Sequence, residues 1–311
     1  MATRKAYGIA LKKLGEVNEA VVALDGEVKN STHVQEFAQA FPARYTECYI
    51  AEQNMVGMAN GMSALGKIPF VSSFACFLTR GCDQIRMAGI SRANIKFCGS
   101  HVGVSIGEDG PSQMGLEDIA LFRAIPGSTV LYPADGIAAE RCVELAANHE
   151  GIVYLRVGRP GTPLIYSPED EFQVGGSGLL KSSGEDVATI IGAGVTVHEA
   201  LQAAEALQNE GIAVRVIDLY SIKPIDEARL HEAVRDTSVI VTVEDHYSEG
   251  GLGDAVLDVL AGRPFLYKKL AVKGIPRSGS SSRLMNVFGI DAENIANAVR
   301  GAIGKRGEAS P

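Results

Sequence analysis

A chain of 311 residues has room for two domains, each with its own core. A hydrophobic share of 46% and a charged share of 21% are those of a globular protein and exclude disordered and fibrous classes. The net charge of -8 argues against a nucleic-acid or anionic-membrane partner, while leaving room for a local basic pocket around one phosphate.

In chain order, AVVALDG (20–26) reads as a strand, CYIA (48–51) as strand-like, and Asn54 to Leu65 as a helix rich in small residues. IPFVSSF follows as a strand, then a helix around Gly81–Ile90, then the strand NIKFCGS. A helix over Gly115–Arg123, the strand STVLYP, a helix over Gly136–Asn148 and the strand GIVYLRV complete the first alternation. From Gly158 to Glu185 the texture turns rich in proline, glycine and serine, as in a domain connector. Four more strands follow, DVATIIGAG, IAVRVIDLY, SVIVTVED and FLYKKLAV, with helices over Val195–Asn209, Asp226–Arg235, Leu252–Leu260 and Asp291–Ile303. Short β-rich runs alternating with helices point to an α/β protein of two domains, each a mostly parallel sheet flanked by helices. The expected division is a first domain over 1–165, a linker over 166–185 and a smaller second domain over 186–311.

Several motifs carry less than they first suggest. The five cysteines, Cys48, Cys76, Cys82, Cys98 and Cys142, include no C-x-x-C pair, so free buried thiols in a reducing cytoplasm are expected rather than zinc or redox chemistry. No apolar stretch reaches membrane-spanning length and MATRKAYGIA does not read as a signal peptide, which again points to the cytoplasm. Gly192-Ala193-Gly194 opens a helix after a strand, with Asp218 at the next strand end, but Val197 stands where a dinucleotide fingerprint needs its third glycine; a structural turn is expected. Asp25-Gly26 with Asn54 lacks the glycine before the aspartate that a metal motif of thiamine enzymes would have, and Asn54 falls within a helix. Glu244-Asp245-His246 looks like a ligand cluster, yet neighbours on a strand end face opposite ways, so a solvated turn before Gly250-Gly251 is expected and no metal site.

The informative stretches are ECYIAEQNM, FVSSFACFLTR and CGSHVGVSIGEDGPSQMGLED. Taken singly, Glu52 is a helix-start acid favoured by the macrodipole, Phe74 and Phe77 are core packing, and His101 is a turn residue. In this order and spacing, together with VALDGEVKNS, RVGRP, IGAGVTVHEAL, DLYSIKPID, TVEDHY and MNVFGID, they resemble the C-terminal half of transketolase, its pyrimidine-binding domain followed by its C-terminal domain. The His101–Asp109–Gln113 spacing is similar to that of animal transketolases.

The resemblance implies thiamine diphosphate as cofactor and a carboxylic acid, Glu52, hydrogen-bonded to its pyrimidine nitrogen and acting as the catalytic group. Phe74 and Phe77 would wall the pyrimidine, where ring stacking adds about 0.5–1.5 kcal/mol, and Gln113 would lie near the thiazolium end. Arg4, Ser31 and Arg159 match the positions that bind the sugar phosphate, where guanidinium groups suit a dianion. His101 sits on that side of the cleft, and Asp109 matches the carboxylate that reads a donor hydroxyl.

In the family an N-terminal half grips the diphosphate and a divalent metal, Mg2+ or Ca2+, through a Gly-Asp-Gly motif that this sequence lacks. The resemblance therefore implies a partner: a transketolase N-terminal subunit from a separate gene, or the other half of a longer chain. It implies also self-association, giving two copies of this chain with two of the partner. The expected reaction is transfer of a two-carbon ketol unit from a ketose phosphate to an aldose phosphate in the pentose phosphate pathway. Rival readings are a beta-type subunit of a 2-oxo-acid dehydrogenase, a deoxyxylulose-phosphate synthase, or a catalytically silent binding module using the Gly192–Gly194 turn.

Overall fold

The computed structural model describes residues 1–308. Two sheets organise it. The strands are β1 (Val21–Asp25), β2 (Tyr45–Glu47), β3 (Ile68–Phe74), β4 (Lys96–Ser100), β5 (Thr129–Leu131) and β6 (Val153–Arg156). They continue as β7 (Gly178–Lys181), β8 (Ala188–Gly192), β9 (Val214–Asp218), β10 (Ser221–Lys223), β11 (Val239–Tyr247) and β12 (Leu266–Val272). The first sheet runs in the order β10-β5-β6-β4-β3-β1-β2 and is parallel except for β10. The second runs β12-β11-β8-β9-β7 and is parallel except for β7.

Parallel strands need crossover segments, and these cover both faces. Every residue of β1, β4, β8 and β9 is accordingly buried, including the charged Lys96, Arg215 and Asp218 among the apolar ones. On one face of the first sheet, helix Thr3–Val17 lies against helix Gly136–Asn148, burying Tyr7, Leu11, Phe37, Val143 and Leu155. On the other, helices Glu52–Ala64 and Cys82–Ile90 bury Met55, Val56, Ile85, Phe97 and Phe122. That second core continues without a break into Ile191 and Ile217 of the other sheet and Leu230 of helix Glu227–Thr237.

The two edge strands that run antiparallel cross the expected borders. The connector supplies β7, which pairs with β9, and the following segment sends β10 back to pair with β5 of the first sheet. CYIA is not a strand: β2 ends at Glu47, and Tyr49 takes a left-handed φ of 54° that turns the chain into the helix beginning at Glu52. The helix expected from Gly115 starts at Asp118, because Gly115 is held in a bridge to Val102.

The Glu244–His246 triplet is a larger departure, since it is no solvated turn. Glu244 is 3% exposed and Asp245 and His246 are 0% exposed, inside β11. Neighbouring strand residues do face opposite ways, but here both faces are covered. The Glu244 carboxylate accepts from the backbone N–H of Leu252 and Gly253 at 2.6 and 3.1 Å, at the start of helix Leu252–Leu260. Asp245 accepts from Val104 and Ser105 of the first domain. A buried ion pair adds to this junction. Arg156 donates to Asp118 from Nε at 2.7 Å and Nη2 at 3.2 Å, and to the carbonyls of Gly115 and Asp245 at 3.0 and 2.9 Å. Removing one partner of such a pair would cost about 3–5 kcal/mol, because the other charge is left buried and alone.

Candidate active site

Ligands of open parallel sheets collect at the carboxyl ends of the strands. Here β1, β2, β3, β4 and β6 are followed at once by Gly26, the Cys48–Ala51 turn, Ala75, His101 and Val157; every candidate residue but Arg4 lies in or beyond these segments, save Phe74, which ends β3 itself. Arg4 joins them because helix Thr3–Val17 starts against Gly158, whose carbonyl accepts the Arg4 N–H at 3.4 Å.

A cleft of about 670 Å³ opens at this edge, lined by Gly26, Ile50, Glu52, Phe77 and Arg80 among others. Glu52 is the first residue of its helix, where a carboxylate suits the macrodipole. It is 3% exposed all the same, and its Oε2 accepts from Arg80 Nη1 at 3.1 Å. Arg80 escaped the sequence reading although it closes the FLTR motif; only the fold brings it to a residue 28 positions earlier. Asp25, just below the cleft, is not a ligand group: it accepts from the Val28 N–H and the Thr32 hydroxyl at 2.6 and 2.8 Å, and burial pushes its carboxyl up to about 7. Among the described residues no group of three His, Cys, Asp or Glu side chains could hold a metal ion.

Three rings lead away from the cleft. Phe77 stacks on Phe74 with centroids 4.9 Å apart, and Phe74 stacks on His101 at 3.7 Å. His101 takes a φ of 57°, which turns it from the end of β4 onto the Phe74 face, and its Nδ1 bonds Ser100 Oγ at 3.0 Å. Burial first, then the charges of Arg4 and Arg159, hold its pKa down to about 3. The imidazole is therefore neutral and offers one donor and one acceptor.

Beyond the ring column lies a charged cluster. Arg159 donates from Nη1 to Asp109 Oδ2 at 2.8 Å and to the Ile106 carbonyl at 3.1 Å. Asp109 Oδ2 lies 3.9 Å from His101 Nε2, beyond hydrogen-bond range. Arg4 donates from Nη1 to the Ser31 carbonyl at 2.8 Å, while its Nε is buried without a partner among the described residues. Burial and the neighbouring Arg159 lower the Arg4 pKa, against the pull of Asp109. Among the described residues Asp109 pairs with Arg159 alone of the two arginines, so the Arg4 charge and its orphaned Nε donor remain for an anion.

The expected residues thus form one edge: Glu52, Phe77, Phe74 and His101 in a row, then Asp109, Arg159, Arg4 and Ser31. Gln113 stands apart. It is half-buried at the base of the Asp109 loop, its N–H donates to the Gly110 carbonyl at 3.1 Å, and its side chain makes no hydrogen bond among the described residues. The Gly192–Gly194 turn is filled rather than open. The Tyr132 ring of the first domain occupies the space where a Cβ on Gly194 would stand, so no pyrophosphate could lie there.

Residues 1–163 match the family model described as "Transketolase, pyrimidine binding domain", and residues 176–295 match "Transketolase, C-terminal domain". The chain is 54% identical to the transketolases of Rattus norvegicus and Homo sapiens over 308 residues, covering 98% of itself and 49% of each relative. It therefore spans about half the length of the curated relatives it matches. A solved structure described as "Split gene transketolase, inactive beta4 tetramer" superposes with a TM-score of 0.90 at 40% identity, covering 98% of this chain and 99% of that one. The transketolase of Campylobacter jejuni shares the fold at a TM-score of 0.85 and 22% identity, with 97% of this chain and 46% of that chain covered. The chain belongs to the transketolase family, of which it carries the pyrimidine-binding and C-terminal domains.

Proposed function

We propose that the chain is the C-terminal half of a thiamine diphosphate-dependent transketolase, transferring a two-carbon ketol unit between sugar phosphates. The observation that supports this most directly is a buried acid at the foot of an aromatic-walled cleft, Glu52 beside Phe77, joined through Phe74 and His101 to an arginine pair. The cleft suits the pyrimidine end of the cofactor: its one buried carboxylate, Glu52, lines a space with an apolar wall at Phe77 that has room for a ring. It offers nothing for a diphosphate beyond Arg80, so the diphosphate and an Mg2+ or Ca2+ ion would be held by residues outside this chain.

When bound, the cofactor supplies a nucleophilic carbon and an electron sink for the ketol fragment. Glu52, whose carboxylate pairs with Arg80 here, would be the residue to hold a proton against the pyrimidine nitrogen. Phe77 and Phe74 would exclude water on one side of the ring, and Gln113, which stands apart from that row here, would have to turn toward the cleft to serve the thiazolium end. Neutral His101 orients a substrate hydroxyl without adding charge, Asp109 accepts from a donor hydroxyl, and Arg4, Ser31 and Arg159 hold the phosphate. A 2-oxo-acid dehydrogenase subunit would have no use for that arginine pair, and a silent module built on Gly192–Gly194 would need space that Tyr132 fills.

The working assembly pairs this chain with a polypeptide carrying the diphosphate-binding domain, and two such pairs join through exposed apolar residues of this chain. Tyr49 and Ile50 before helix Glu52–Ala64, Leu65 after it, and Met87 and Ile90 on helix Cys82–Ile90 are each at least 43% exposed. Its thiols suit a reducing cytoplasm. The test is to mix the chain with a transketolase N-terminal half, thiamine diphosphate and Mg2+ and to follow ketose-phosphate exchange. Transfer should appear only in the full mixture. Silence of the full mixture, or equal turnover by this chain alone, would overturn the reading.

A further inference from the structure

The loop that carries Asp109 belongs to the first domain in sequence but to the second in packing. Val104, Ile106, Met114 and Leu116 are buried in the same apolar cluster as Val241, Val243, Leu284 and Met285 of the second domain. The loop is pinched shut at its base, where Gly103 N–H donates to the Gly115 carbonyl at 2.7 Å and Gly115 N–H to the His101 carbonyl at 3.0 Å. One side chain reaches into it from β11. The Asp245 carboxylate accepts the Val104 N–H on Oδ1 at 2.6 Å and the Ser105 N–H on Oδ2 at 3.1 Å, while its own carbonyl is held by Arg156. Both N–H groups open the short turn Val104–Ile106, and the Ile106 carbonyl at its end accepts from Arg159, which in turn grips Asp109.

From these contacts we infer that Asp245 is a positioning residue for anion and donor recognition: through the Val104–Ile106 turn, the second domain sets where Arg159 and Asp109 stand. The inference rests on the reading of Arg159 as a phosphate-binding group. It gives the second domain a task in substrate recognition although the residues proposed to meet substrate all precede it in sequence. The close approach is built in. Gly103 has a φ of 74°, and the Asp245 carboxylate lies where a Cβ would be, so only glycine leaves room for it. Asparagine at 245 would keep an acceptor for one N–H but turn an amide hydrogen toward the other, shifting the turn without creating a cavity.

The experiment uses the full chain, with inorganic phosphate as probe and 31P line broadening as readout, for wild type, Arg159→Ala, Asp245→Asn and Gly103→Ala. Thermal unfolding is recorded for each. Arg159→Ala should abolish phosphate binding. Asp245→Asn should weaken it about tenfold, as displaced positioning groups do, at an unfolding temperature close to wild type. In the reconstituted enzyme the same variant should raise KM for a phosphorylated ketose about tenfold, with kcat/KM for hydroxypyruvate changed less than about twofold. Gly103→Ala should give the same donor split by pushing the carboxylate away with its charge intact. Loss of phosphate binding in Arg159→Ala but not in Asp245→Asn would overturn the inference, as would equal losses on both donors. Absence of ketol transfer by the wild-type mixture, with the phosphate results intact, would instead overturn the transketolase reading and leave Asp245 as the organiser of an anion site.

Discussion

Glu52 tests the central claim at the residue scale, because its burial alone does not distinguish a proton-holding acid from a well-placed helix-start carboxylate. Glutamine is nearly isosteric and can still meet Arg80 and a ring nitrogen, but it cannot exchange a proton. Glu52→Gln should leave unfolding temperature and cofactor binding near wild type while slowing ketol transfer by about two to four decades, the usual worth of a positioned acid or base. Equilibrium cofactor binding and initial rates in the reconstituted assembly check this; wild-type rates in the variant would make Glu52 a structural acid. The residue was legible from its motif. Its pairing with Arg80 was not, since nothing in FLTR marks an arginine as the counter-ion of a residue on another helix.

At the scale of elements, the connector is held by two carboxylates. Asp135 caps helix Gly136–Asn148 by accepting from the Ala138 N–H at 2.8 Å, and its other oxygen takes the N–H groups of Ile165 and Tyr166 at 2.7 and 3.0 Å. Tyr166 then donates its hydroxyl to Asp218 Oδ2 at 2.8 Å, at the end of β9. Asp218 is fully buried, its second oxygen has no partner among the described residues, and burial pushes its pKa up to about 8, with Tyr166 opposing. A raised carboxyl contributes stability that is complete below the unfolded value near 4 and lost as pH rises through 8. Asp218→Asn keeps the acceptor for Tyr166 and removes the ionisation. Between pH 5 and 8 its unfolding free energy should fall less steeply than that of wild type, by up to about 1 kcal/mol per pH unit. Denaturant melts at several pH values check the slope, and parallel slopes for the two proteins would show that Asp218 does not titrate in this window.

For the molecule as a whole, the exposed apolar residues around helices Glu52–Ala64 and Cys82–Ile90 carry the prediction. If copies meet there, a charge at Met87 and Ile90 leaves the fold untouched, since both side chains already face solvent. The double variant Met87→Asp with Ile90→Asp should sediment as a smaller species than wild type, with the same unfolding temperature at low protein concentration. Unchanged sedimentation of an associated protein would move the interface elsewhere. The molecule is also more continuous than its two sheets suggest. One core joins both, β10 returns from the second half to pair with β5 of the first sheet, and apolar residues flanking Asp109 are buried in the second sheet's core.

The sequence alone determined the α/β class and most strands and helices, and it named candidate polar residues that the fold gathers along one sheet edge. Buried parallel strands leave largely apolar runs, and the motif residues follow strand ends at telling spacings. Helix Thr3–Val17 was not separated from its surroundings, because its start has no side-chain cap and its burial comes from a helix more than a hundred residues later. The Glu244–His246 triplet was misread because burial of polar side chains depends on what covers them, and the covering N–H groups of Val104 and Ser105 come from the other domain. Only the tertiary structure decided which atoms meet across such distances: Arg80 on Glu52, the Phe77–Phe74–His101 column, and Asp245 beneath the Asp109 loop. Local pattern records which face of a segment is apolar. It does not record the partner on that face, and a buried carboxylate or arginine takes its role from that partner.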